Sequence, residues 1–72
     1  MSTYEFECIQ SATGNKMQVK IDQIDEVLRV NIDGNYLGML IMDLSKLGYF
    51  TDDEELKPLI NDIVKCLENN KQ

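Results

Sequence analysis

Hydrophobic and polar positions alternate through most of the first half of the chain, and the phase of that alternation predicts strands. In residues 2–10, Tyr4, Phe6 and Cys8 fall on one face, and Thr3, Glu5 and Glu7 on the other. Ser11-Ala12-Thr13-Gly14-Asn15 breaks the pattern with residue types suited to a turn. Alternation then resumes over 16–22, with Met17, Val19 and Ile21 on the apolar face. Pairing Cys8 with Met17, Phe6 with Val19 and Tyr4 with Ile21 keeps the apolar faces together and sets Glu5 opposite Lys20. A slip of two residues would set Glu5 against Asp22, a like-charge pair. A slip of one would turn the whole apolar set to the wrong face.

Val27 to Met42 holds two more strand-like runs flanking Asp33-Gly34, a strong short hairpin signal. Gln23-Ile24-Asp25 reads as a short link into the first of these runs, which implies a meander. In that run Leu28, Val30 and Ile32 point inward, and Val27, Arg29 and Asn31 outward. A two-residue Asp33-Gly34 loop sets Val30 against Leu37 and Leu28 against Met39. Tyr36, Leu40 and Met42 then project outward beside Val27. Gly38 inside the second run marks a bulge or the close approach of another group.

Residues 43–51 admit two readings. One is a turn at 43–46 followed by a short fifth strand at 47–50. The other is an irregular aromatic-bearing loop. Tyr49 and Phe50 are expected to plug the core near the start of a helix. Thr51-Asp52-Asp53-Glu54 has the form of a capping box. Pro58 is expected to distort the first turn, leaving a regular helix over 57–68. Leu56, Leu59, Ile60, Ile63, Val64 and Leu67 recur at the spacing of one helical face.

The pattern as a whole predicts one small α+β domain over residues 1–72. It is a four- or five-stranded antiparallel meander sheet with one C-terminal helix packed on one face. A chain of this length buries only about 60% of the surface its unfolded state exposes, so its core has little to spare.

Composition narrows the chemistry. There is no histidine, which removes the commonest general base and metal ligand. No phosphate cradle, nucleophile elbow or paired-cysteine metal motif is present, so no enzymatic activity, cofactor or metal is expected. The acids at 52–55 lack the spacing and glycine of a calcium loop and read as helix-start residues. Thirteen acidic and seven basic residues give a net charge of −6, which disfavours nucleic acid as a partner. No apolar run approaches the ~20 residues of a membrane span. The acidic, alternating start is unlike a secretory signal, so a cytoplasmic location is expected. Cys8 and Cys66 can form one disulfide in an oxidising compartment or remain two free thiols in a reducing one. The expectation is free thiols, with Cys66 the more reactive.

One feature exceeds what the fold needs. A single helix covers one face of the sheet, yet Val27, Tyr36, Leu40 and Met42 are placed on the other. Either residues 47–50 fold over this patch or another chain does. The expected function is therefore a protein-interaction or self-associating module, with an unknown protein or a second copy as partner. The alternatives are an acidic inhibitor or nucleic-acid mimic bound by a basic protein, and an accessory domain holding a small apolar ligand.

Overall fold

The computed structural model describes residues 2–43, 45 and 48–71, the last by its backbone only. Strands β1 (Ser2–Ile9), β2 (Lys16–Ile24), β3 (Val27–Ile32), β4 (Asn35–Asp43) and β5 (Gly48–Phe50) form one antiparallel sheet in sequence order. A 3-10 turn, Lys57–Leu59, leads into the helix α1, Ile60–Lys71. This is the predicted α+β meander, in its five-stranded form. Within the predicted turn at 43–46, Asp43 Oδ1 accepts hydrogen bonds from the backbone N–H and hydroxyl of Ser45. Leu44, Lys46 and Leu47 lie outside the described residues.

The β1–β2 register is the one that charge and parity select: Tyr4 with Ile21, Glu5 with Lys20, Phe6 with Val19 and Cys8 with Met17. Gly14 takes φ 77° in the connecting turn, where a side chain would be strained. The Asp33-Gly34 loop has φ of 51° and 84° at its two residues, the left-handed pair of a type I′ turn that matches strand twist. Asp33 also fastens this loop to β2. Its N–H donates to Gln18 O at 2.9 Å, and its carboxylate accepts from Gln18 N at 3.0 Å.

The link between β2 and β3 is shorter than expected. Gln23 and Ile24 belong to β2, and the turn is Asp25-Glu26, with φ 55° at Asp25. Ile24 thereby becomes a strand residue paired with Val27.

The core lies between the inner face of the sheet and the helix. Ile21, Leu28, Val30, Leu40, Leu56, Ile63 and Leu67 expose nothing to solvent. Burying each such side chain contributes ~1.5–3 kcal/mol, and the entropy of ordering the chain offsets most of the total. Leu59, Ile60 and Val64 pack around this core from the same helical stripe. Pro58 sits in the 3-10 turn, so the regular helix begins at Ile60 rather than Lys57.

Candidate functional site

The outer face of the sheet takes its shape from one irregularity. Near the hairpin, Ile32 pairs with Asn35 and Asn31 with Tyr36, as a two-residue loop requires. The register then shifts by one, and Val30 pairs with Gly38. Leu37 is the extra residue of this bulge. Every later residue of β4 is consequently on the face opposite to the one that continuous alternation assigns. Leu28 meets Leu40, not Met39, and Leu40 is fully buried. Met42 likewise turns inward and packs against the core. Of the four residues placed outward by alternation, Val27 and Tyr36 are outward, while Leu40 and Met42 are not.

The bulge has a chemical partner. The Asp53 carboxylate accepts a hydrogen bond from Met39 N at 2.9 Å, and the Thr51 hydroxyl donates to Met39 O at 2.8 Å. Two side chains thus satisfy the backbone of β4 beyond the end of the short β5. Asp53 N donates to Thr51 Oγ1 at 3.1 Å, which holds the pair together. The capping-box expectation is corrected accordingly, because Thr51 and Asp53 close a strand edge instead of serving the helix. Asp53 suits both tasks because it offers oxygen to an unpaired N–H, and Thr51 because its hydroxyl can donate to a carbonyl as well as accept from an N–H.

With Leu40 and Met42 removed from it, the outer face gains others. Ile24, Val27, Ile41 and Phe50 are successive cross-strand partners on β2, β3, β4 and β5. They form one apolar row across four strands. Ile24 is 47% exposed and Phe50 46%, while Val27 and Ile41 at its centre are half-buried. The next outward row holds Asp22, Arg29 and Met39, and the one after it Lys20, Asn31 and Tyr36. Arg29 lies 5.4 Å from the centroid of the Tyr36 ring, a cation–π contact of ~0.5–1 kcal/mol at an exposed site. Phe50 was expected to plug the core, yet its ring joins this face. Tyr49 takes the inward position, opposite Met42, and its hydroxyl lies 3.5 Å from Glu68 Oε1. Residues 48–50 therefore extend the apolar patch and do not cover it.

The charges on this face are mixed. Glu5, Glu7, Asp22 and Asp43 are set among Lys16, Lys20 and Arg29 by the strand register. Glu7 accepts from Gln18 Nε2 at 3.1 Å and lies 3.9 Å from Lys16 Nζ. Most of the net charge of −6 resides elsewhere, on residues such as Asp25, Glu26 and the acids of 52–55.

The two cysteines come together away from this face. Cys8 and Cys66 are joined by a disulfide, with Cα atoms 6.0 Å apart. The free-thiol expectation is corrected. Cys8 is the last inward residue of β1, and the helix crosses that strand with Cys66 at the edge of its apolar stripe. Cys8 is 2% exposed and Cys66 is half-buried. Beside them, Asp62 Oδ2 accepts from the N–H and the hydroxyl of Ser11 at 3.1 and 3.2 Å, tying the helix to the β1–β2 turn.

Among the described residues, no group of three or more cysteines, aspartates or glutamates is arranged to hold a metal ion, and no helix is long and apolar enough to cross a membrane. In comparisons with protein-family models, curated proteins and solved structures, nothing matches the chain.

Proposed function

We propose that this chain is a non-enzymatic interaction module that pairs with a second copy of itself through the outer face of its sheet. The observation that carries the reading is the row Ile24, Val27, Ile41 and Phe50, an apolar band on a face that no element among the described residues covers.

Size supports it. Strands of eight, nine, six, nine and three residues, rising ~3.3 Å per residue at a spacing of ~4.8 Å, give a face of roughly 550 Å² before side-chain relief. A stable interface takes about 800 Å² per partner, so a copy must seat squarely on the whole face, with side-chain relief adding to its flat area, to approach that size. Two sheets packed in this way lie about 10 Å apart with their side chains interleaved.

Charge supports a second copy in particular. Two chains of net charge −6 repel through most of their surface. The outer face sets four acids against three bases, so copies meeting there incur little of that repulsion. A two-fold axis also sets the apolar row against its own equivalent. Nucleic acid and membranes have no place in the proposal, because the face has no concentrated positive patch. A cytoplasmic location belongs to it only if the disulfide is opened and closed there, since reducing compartments keep thiols reduced. Of the acids an inhibitor or nucleic-acid mimic would present, Asp53 is already committed to Met39 N.

Sedimentation across a dilution series tests the reading. It predicts a dimer that dissociates on dilution. A chain that sediments as a monomer at every concentration contradicts it.

A further inference from the structure

We propose that Cys8 and Cys66 form a reversible thiol–disulfide exchange site, at which an incoming thiolate attacks the Cys66 sulfur and Cys8 is the leaving group. The inference is independent of the pairing of copies through the outer face.

The two sulfurs are presented differently. Cys66 lines two adjoining surface clefts. Phe6, Glu7, Asn69 and Asn70 border the first. Ile9, Ser11, Asp62 and Lys65 border the second, together with Glu7 and Asn69. Cys8 is sealed beneath, in contact with the core. A thiol from solvent therefore reaches the sulfur of Cys66 first. Lys65 supplies a positive charge to the approaching thiolate, opposed in the same cleft by the carboxylates of Glu7 and Asp62.

The leaving sulfur has a place prepared for it. Cys8 Sγ lies 3.3 Å from the backbone carbonyl oxygen of Asp62, within the range for a thiol donor. In the disulfide this contact carries no proton. After cleavage the two sulfurs move apart, and the Cys8 thiol has the Asp62 carbonyl oxygen as an acceptor, so the buried sulfur is satisfied in the reduced state. The disulfide is not the helix's only tie to the sheet. Ile63 and Leu67 pack in the core, and Asp62 accepts from Ser11.

The step balances with a thiol as co-reactant. The thiolate forms a new bond to Cys66 Sγ as the Cys66–Cys8 bond breaks. Cys8 departs with the bonding pair and takes a proton from water. A second thiolate then attacks the sulfur of the mixed disulfide that the first thiol contributed, releasing the oxidised thiol and leaving Cys66 reduced. Two electrons pass from two thiols to the protein pair. An oxidised thiol runs the sequence in reverse.

The test uses the intact oxidised chain without denaturant. Reduced glutathione is added, the exchange is stopped with acid, the chain is alkylated with N-ethylmaleimide in denaturant so that the buried Cys8 is reached, and peptides are mapped by mass spectrometry. Glutathione is expected on Cys66 and maleimide on Cys8, with at least about tenfold preference over the reverse, as the difference in access implies. Oxidised glutathione should restore the bond, and the reduced chain should keep its circular dichroism. A parallel reaction with reduced thioredoxin distinguishes a protein dithiol from a small thiol as the faster donor, and reaction with either supports the proposal. The Cys8→Ser variant gives an independent measurement, since its free Cys66 should form a mixed disulfide in the folded state. Glutathione predominantly on Cys8, or a disulfide that reacts only in denaturant, would overturn the proposal. So would a reduced chain that oxidised glutathione fails to close.

Discussion

Asp53 reaches β4 through the space left by Gly38. A Cβ built on Gly38 would stand 2.8 Å from the Cβ of Asp53 and closer still to its carboxylate. Without that approach, Met39 N would lose the acceptor it has at 2.9 Å. The glycine, the bulge and the acid are thus one arrangement, and it decides which face each later residue of β4 occupies.

Gly38→Ala should therefore destabilise the domain by ~1–3 kcal/mol through overpacking against Asp53. Asp53→Ala should also destabilise it, by ~1 kcal/mol or more, through the lost acceptor. Because the two residues touch, the double variant should lose less than the sum of the single losses. Urea titrations of all three check this, and additive losses would mean that the residues act separately.

On the helix, Ile63→Ala should cost ~2–5 kcal/mol, because the side chain is fully buried against the sheet. Ile60→Ala should cost less, since that residue is only half-buried. Lys65→Ala lies on the exposed face and should change stability by less than ~0.5 kcal/mol. Equal losses at Ile63 and Lys65 would contradict the orientation of the helix.

Reduction should lower stability without abolishing the fold. The disulfide joins residues separated by 58 positions, and in the chain-entropy model closing a loop of that length is worth about 4 kcal/mol. The reduced chain should unfold cooperatively at a lower urea midpoint. A reduced chain with no transition would show that the core cannot hold the helix unaided.

The extent to which the sequence foretold these features follows from how local each signal is. The β1–β2 register was legible because parity and the Glu5–Lys20 pair select the same alignment. The helical stripe was legible because its spacing is regular over several turns. The bulge was signalled by Gly38, but a glycine does not say whether the register slips. That single slip sent Leu40 and Met42 inward and brought Met39 and Ile41 out. Ile24 was hidden because a polar neighbour on each side gave it the appearance of a link. Phe50 was hidden because its face depends on how β5 pairs with β4. The Cys8–Cys66 pairing depends on the angle at which the helix crosses β1, a tertiary property with no local trace. Asp53 carries a true signal for an N–H acceptor, but not for which N–H is served, and the Thr51 hydroxyl does not say that it donates to a strand carbonyl.

The adjacent residues Leu40 and Ile41 test the central claim most directly, because the bulge assigns them to opposite faces. Ile41→Glu, with Ile24→Glu as a more exposed companion, should give a folded chain that sediments as a monomer at concentrations where the unsubstituted chain is a dimer. Leu40→Glu should bury a charge and unfold the domain. Sedimentation and circular dichroism of the three variants read both outcomes. A folded, monomeric Leu40→Glu beside an unfolded Ile41→Glu would reverse the two faces, and dimers that persist in Ile41→Glu and Ile24→Glu would remove the apolar row from the interface.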